Sequence, residues 1–206
     1  MEHPHIHHSC LKYINIIHDP RRSEKYPLLI AELSRQGLTE DDYEIWPCLV
    51  HPGSVIESIN ASHKMIIQKA KDEGMEDICV MEDDVCFPAA DGLKYFLDHK
   101  PLFPWRVYLA GAYAVEWYKP LPRWVTHFVG MHCYLMNRIF YDVFLNIQTD
   151  KHIDTAVSDM IKEYEISVVC CYPMAAIQRK GWSANNLKEV DYNYVLKPDD
   201  VYGGLP

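Results

Sequence analysis

Apolar residues along the chain follow two rhythms that take turns. Short runs that are apolar at nearly every position predict strands at residues 11–17 (LKYINII), 43–46, 77–81 (DICVM), 106–109 (RVYL) and 166–172 (ISVVCCY). Between them, apolar positions three and four apart predict helices. The first helix carries Leu28, Leu29, Ala31 and Leu33; it follows the break His18-Asp19-Pro20-Arg21-Arg22, with Ser23 as its cap and Gly37 as its stop. The second opens on Ser54-Val55-Ile56-Glu57, a capping box in which the serine oxygen accepts a backbone N–H and the glutamate returns the bond. It carries Ile59, Ser62, His63, Ile66, Ile67 and Ala70, and ends at Gly74. A third helix follows Pro88 over residues 92–99, and residues 124–136 read as extended structure around Gly130. Asn137 caps a helix through Phe140, Val143 and Phe144, and Asp150 or Asp154 caps another through Val157, Met160 and Ile161. From Arg179 onward the chain is polar and rich in Asp, Asn, Pro and Gly, which predicts loop or tail.

Strands that alternate with helices, and that are apolar throughout, predict a mostly parallel sheet covered on both faces, an α/β fold. No repeat, low-complexity block or linker divides the chain. Residues 11–206 are therefore expected to form one domain, preceded by a flexible segment, residues 1–10, that holds His3, His5, His7 and His8. A free terminus followed by His3 can bind copper or nickel, and a frayed polar start accounts for the same residues.

Composition narrows the function classes. The chain has 206 residues, 49% of them hydrophobic, enough for a core without a disulfide or metal staple. A net charge of -9 argues against a broad basic face for nucleic acid. It suits a bound divalent cation, and it also suits plain solubility. Seven cysteines at irregular spacing, with no CxxC pair, are expected to be reduced thiols in a cytoplasmic protein. Cys170 and Cys171 adjoin in a predicted strand and should face opposite sides. No apolar stretch approaches the ~20 residues of a membrane span and no signal peptide is visible, so contact with a membrane-lipid substrate would be peripheral.

The candidate chemistry lies where the third strand ends, at Glu82-Asp83-Asp84. Consecutive carboxylates at the end of a buried strand repel, by about 4 kcal/mol per close pair at an effective dielectric of about 20. A hard divalent cation such as Mg2+ or Mn2+ removes that penalty, commonly through one or two carboxylates plus substrate phosphates. Ligands of open α/β sheets bind beyond the carboxyl ends of strands, where this triplet falls. Extended backbone would put Glu82 and Asp84 on one side and Asp83 on the other. An acidic strand end that only caps the following turn is the competing reading.

At this point the chain resembles glycosyltransferase family 25, the lipooligosaccharide and collagen galactosyltransferase-like group on a GT-A scaffold. Tyr13-Ile14-Asn15-Ile16 with Arg21-Arg22 resembles its opening strand and Asn-Leu-Asp-Arg-Arg turn, and Ala61-Ser62-His63-Lys64 its Ser-His element. Val80-Met81-Glu82-Asp83-Asp84-Val85 resembles its Leu-Glu-Asp-Asp motif, and Gly130 with Tyr134-Leu135-Met136 its Thr-Gly-x-x-Tyr strand. His152-Ile153-Asp154 resembles its Pro-Ile-Asp segment, and Pro173, Gln178 and Ser183 its closing region. Ile17 and His18 depart from the usual Leu-Asp, as Met131 and His132 depart from small residues.

The resemblance implies a GT-A-like sheet with a Rossmann-like nucleotide-binding half. It also implies inverting transfer of a hexose, galactose or glucose, from a UDP-sugar to a hydroxyl of a glycan, a lipid-linked glycan or a protein. Mn2+ or Mg2+ on the diphosphate would fall first to Asp84 and second to Glu82, with Asp83 on ribose or sugar. Asn15 and Arg21 would lie at the nucleotide, Arg21 as a phosphate or uracil partner or as a plain surface arginine. Ser62 and His63 lead toward the cluster, His63 as a donor to the diphosphate or as a core histidine, and Gln178 and Ser183 line the donor site. Asp154, then Asp159, is the candidate general base, with a helix cap as the alternative for Asp154. His132 and His152 are candidate late metal ligands or acceptor contacts. Trp117, Trp124 and Trp182 either stack on a sugar or pack at the rim. Two other classes fit the acids: a non-catalytic nucleotide-sugar or glycan-binding module, and a metal-dependent phosphoryl-transfer enzyme or hydrolase.

Overall fold

The computed structural model describes residues 12–118, 123–148, 150–183 and 188–205. The N-terminal segment with its four histidines lies outside them. The strands are β1 (Ile14–His18), β2 (Tyr43–Pro47), β3 (Asp77–Glu82), β4 (Val85–Cys86), β5 (Val107–Leu109), β6 (Tyr113–Trp117), β7 (Val125–Val129), β8 (Cys133–Asn137), β9 (Val168–Cys170), β10 (Ile177–Gln178), β11 (Gly181–Ser183) and β12 (Lys188–Val190). The α-helices are α1 (Lys25–Arg35), α2 (Val55–Asp72), α3 (Gly92–Asp98), α4 (Tyr141–Asn146) and α5 (Ile153–Tyr164).

The central sheet runs β2-β1-β3-β8-β5-β9. Strand β8 is antiparallel to both its neighbours, and the other five share one direction. This is the expected mostly parallel α/β sheet. Because side chains alternate across a strand, the sheet feeds two cores. Ile78, Val80, Val107, Leu109, Tyr134 and Met136 pack under α2, α4 and α5. Cys79, Met81, Tyr108, Cys133 and Leu135 pack with Leu29 and Leu33 of α1 and Leu93 and Phe96 of α3. Cys170 enters the first core and Cys171 the second, as neighbours in extended chain must.

Local signals set some element ends. Ser54 accepts from the Glu57 N–H at 3.1 Å and starts α2. The Asn137 side chain accepts from the Ile139 N–H at 3.1 Å, starting a 3-10 turn that leads into α4. Other expectations fail for identifiable reasons. Helix α1 begins two residues past Ser23 with no side-chain cap. Helix α5 begins at Ile153, so Asp154 is inside it rather than its cap. The extended structure expected around Gly130 is present, as two strands between which Gly130 at φ 93° turns the chain.

The polar C-terminal stretch is not a loose tail. Strands β11 and β12 form a hairpin, and Val201 is buried against Met174. A close backbone approach fixes the segment before that hairpin: Ala175 and Ala176 N–H groups donate to the Ala110 carbonyl at 2.7 and 3.2 Å. A Cβ at Gly111 would lie 1.9 Å from the Ala176 oxygen, so only glycine fits there. Strand β10 then pairs with β4 and sets Gln178 opposite Val85.

Candidate active site

Parallel pairing brings the carboxyl ends of β1, β2 and β3 together, with Ile17 beside both Trp46 and Glu82. A cleft of ≈ 410 Å³ opens there. The acidic triplet lines it. Strand β3 ends at Glu82 and the chain turns through Asp83 and Asp84, so the expected strict alternation of the triplet does not occur: all three carboxylates line this cleft. Arg21, Arg22, Lys25, Arg179 and Lys180 line it too, five cations that nearly balance the acids there, since Asp19, Glu24 and Glu189 join the triplet, in a chain whose net charge is -9. Leu28, Val55 and Ile59 give it apolar walls.

Each acid has distinct partners. Asp83 Oδ2 lies 2.9 Å from His18 Nδ1 and accepts from the Asp19 N–H at 3.2 Å. Its Oδ1 accepts from Lys25 Nζ at 3.0 Å. Asp84 Oδ2 accepts from the same Lys25 Nζ at 2.9 Å and from Gln178 Nε2 at 3.1 Å. Burial works against the Lys25 ammonium, but the charges and hydrogen bonds of Asp84 and Asp83 outweigh it and raise its pKa above the ordinary lysine value. Glu82 Oε1 lies 3.3 Å from His63 Nε2, and His63 Nδ1 lies 3.0 Å from the Tyr134 hydroxyl.

A second cleft of ≈ 370 Å³ adjoins the first, and Ile59, Glu82, Gln178 and Ser183 line both. Its other walls include Tyr113, His132, His152, Asp154 and Tyr192. Asp154 Oδ2 accepts from the Gly130 N–H and its Oδ1 from the Thr155 N–H, each at 2.7 Å, so this carboxylate pins the β7–β8 turn to α5. The Tyr113 hydroxyl accepts from the Gln178 N–H at 2.7 Å, and burial raises its pKa most, despite that bond.

The structure gathers Arg21, Ser62, His63, Glu82, Asp83, Asp84, Gln178 and Ser183 around the first cleft. Some of these have their polar atoms already engaged. Ser62 Oγ donates to the Ser58 carbonyl at 2.7 Å and accepts from the Leu49 N–H at 2.8 Å. Arg21 makes a paired contact with Asp19 from Nε at 2.8 Å and Nη2 at 2.7 Å. Two expected residues lie elsewhere. Asn15 is buried near the start of β1, outside both clefts, where Trp46 Nε1 donates to its side-chain oxygen at 2.8 Å. Asp159 is exposed on α5 in an ion pair with Lys151 at 3.0 Å, outside both clefts. Trp182 is 49% exposed and lines the first cleft, its carbonyl accepting from Arg22 Nη1 at 2.6 Å. Trp117 and Trp124 pack instead on Tyr172 and Phe103.

Sequence reasoning passed over Lys25, Arg22, Arg179 and Lys180. Lys25 carried a usable signal, a cation in the first turn of the helix that follows the strand-end break. The hairpin cations carried none, because only tertiary folding sets residues 179–180 beside residues 82–84.

The chemistry of the donor set admits a divalent cation in one way. Among the described residues, no three His, Cys, Asp or Glu side chains converge as a ready-made cage. Asp84 Oδ1 is nonetheless buried with no hydrogen-bond partner. Mg2+ and Mn2+ commonly accept one or two protein carboxylates, with phosphate oxygens and waters completing the shell. Asp84 beside a bound diphosphate fits that pattern.

No family model matches the sequence, and no curated protein matches it. Solved structures do match the fold. The mannosyltransferase PcManGT from Pyrobaculum calidifontis, in complex with GDP-Man and Mn2+, matches with a TM-score of 0.53 at 10% identity, over 85% of this chain and 59% of that one. The catalytic domain of Drosophila beta1,4-galactosyltransferase 7, in complex with xylobiose, matches with a TM-score of 0.49 at 16% identity, over 78% and 64%. A glycosyltransferase involved in glycosylation of the major capsid of PBCV-1 matches with a TM-score of 0.46 at 11% identity, over 78% and 82%. This chain thus spans less than two thirds of the first and second of these proteins. At such identities the likeness is one of architecture, and the architecture is the GT-A glycosyltransferase fold, a mostly parallel sheet flanked by helices.

Proposed function

We propose that this chain is a metal-dependent glycosyltransferase of the family 25 type. In this reading it moves galactose or glucose from a UDP-sugar to a hydroxyl of a glycan, a lipid-linked glycan or a protein. One observation carries the reading: an acidic turn at the carboxyl end of β3 faces several cations across a cleft that opens into a second cleft. Arg22, Arg179 and Lys180 are suited to hold a diphosphate, arginine being able to offer paired N–H groups, whereas the fork of Arg21 is engaged by Asp19. Asp84, with Glu82 next to it, would hold Mn2+ or Mg2+, which when bound offsets charge developing on the departing nucleotide. Asp83 serves differently from the ribose contact expected of it. With both oxygens engaged, it ties the β1 end and α1 to the acidic turn. Gln178 and Ser183 sit in the wall shared by the two clefts, where the sugar would pass between donor and acceptor.

The second cleft is the acceptor site of this reading, with Tyr113 and Tyr192 as amphipathic walls for a sugar. An inverting transfer needs one carboxylate to take the acceptor proton. Asp154 and Glu82 both line that cleft and Asp159 does not, which favours the first two as the base. Asp154→Asn and Glu82→Gln separate the two when Mn2+ binding is read beside transfer: the variant of the base keeps both UDP and Mn2+ binding and loses transfer, whereas loss of transfer together with weakened Mn2+ binding in Glu82→Gln marks a metal ligand.

The test of the whole reading is turnover. With Mn2+, a panel of UDP-sugars should show binding and slow hydrolysis, and Asp84→Ala should lower the rate at least 100-fold, consistent with loss of an electrostatic partner of the leaving group. No nucleotide-sugar binding, or an Asp84→Ala rate equal to the parent's, would falsify it. Lys25 seated on the acid pair favours a second reading, a module that binds nucleotide-sugars without turnover. UDP binding with no transfer across a broad acceptor screen would select it.

A further inference from the structure

Lys25 is the group that this site would not be expected to contain. Its ammonium sits between Asp83 and Asp84 at 3.0 and 2.9 Å, and its side chain is only 15% exposed. It lies at the first position of α1, on the same cleft wall as Arg21 and Arg22. With Lys25 in place, Asp83 has both oxygens engaged by Lys25, His18 and the Asp19 N–H, and Asp84 Oδ2 is shared by Lys25 and Gln178. What remains is the unpartnered Asp84 Oδ1. A divalent ion approaching that one oxygen meets a fixed positive charge a few ångströms away, and in a partly buried site such repulsion is weakly screened.

A diphosphate changes the balance. It would enter a cleft lined by Arg22, Arg179 and Lys180 as well as Lys25, and its oxygens compete for the ammonium. Lysine is a compact charge on a flexible stem, able to change partner without moving its helix.

We propose that Lys25 is an internal counter-ion that latches the acid pair in the nucleotide-free protein and transfers its ammonium to the diphosphate when the nucleotide binds, opening Asp84 to the divalent cation. This rests on the nucleotide-sugar reading above and adds to it a coupling between two ligands. Nucleotide raises the affinity for metal, and by linkage metal raises the affinity for nucleotide by the same factor.

The experiment is Mn2+ titration, followed by electron paramagnetic resonance or calorimetry, with and without UDP. It uses the parent chain and Lys25→Met, Lys25→Gln and Lys25→Arg. The parent should bind Mn2+ at least tenfold more tightly with UDP than without. The two neutral variants should bind Mn2+ without nucleotide at least tenfold more tightly than the parent, and their UDP dependence should shrink. Lys25→Arg keeps the charge and should behave like the parent. The neutral variants should also melt at lower temperature than the parent in chelator and recover with Mn2+. Parent binding of Mn2+ that is indifferent to UDP overturns the latch without any variant. So do folded neutral variants that bind Mn2+ no more tightly than the parent. A parent that binds neither UDP nor Mn2+ removes the nucleotide-sugar reading itself, a pattern distinct from either of those.

Discussion

The imidazole of His132 is 1% exposed at the edge of the second cleft, and neither ring nitrogen makes a hydrogen bond of normal geometry. Burial pushes its pKa below the ordinary 6.5, against the opposing pull of Glu82, Asp84, the Ala176 backbone and Asp154. The native state therefore keeps a neutral ring where the unfolded chain takes up a proton. The sign follows from linkage. Stability is complete above about pH 6.5 and declines as pH falls below it, by at most about 1.4 kcal/mol per pH unit for one proton. His132→Phe removes that proton, so urea unfolding of the variant should lose less stability between pH 7 and pH 5 than the parent does. Equal losses would show that His132 does not titrate in this window. At this scale the sequence was informative about residue types and less so about their duties. Glu82, Asp83 and Asp84 reach the cleft as expected, yet His63 spends both ring nitrogens on Tyr134 and Glu82, and Asn15 serves Trp46. Those partners are 71, 19 and 31 residues away in the chain, beyond any local pattern.

Elements with strong local signals were legible. The capped helix α2, the apolar strand β3 and the alternation that separates Cys170 from Cys171 depend on neighbours within a turn or a pleat. Elements held by distant partners were not. Strand β10 has two residues and exists because β4 pairs with it. The β11–β12 hairpin is polar and partly exposed, with no alternation to announce it. The position of β10 depends on the contact at Gly111. Gly111→Ala would drive a methyl into the Ala176 carbonyl, and the segment carrying Gln178 would have to shift. The expected cost is about 1–3 kcal/mol, typical of overpacking. It should appear as a lower denaturant midpoint together with weakened UDP binding. A variant that loses neither would show that β10 tolerates displacement and does not set the site.

For the whole molecule, the decisive feature is the placement of charge. The chain is acidic overall, yet five of its cations converge on one cleft with the acidic turn. If they face a nucleotide diphosphate, UDP affinity should fall as salt rises, since the screening length shrinks from about 10 Å at 0.1 M to about 3 Å at 1 M. Titration of UDP across that range checks this, and an affinity independent of salt would place the nucleotide elsewhere. By itself the sequence determined the fold class and the place of the acidic turn, because helix and strand periods and a strand end that runs into carboxylates are local properties of the chain. Tertiary structure alone decided which cation meets those carboxylates, which histidine holds Glu82, and that residues 178–183 wall the two clefts. Those choices depend on which backbone segments of widely separated number are packed side by side, and the sheet order and the C-terminal hairpin fix that after the local elements have formed.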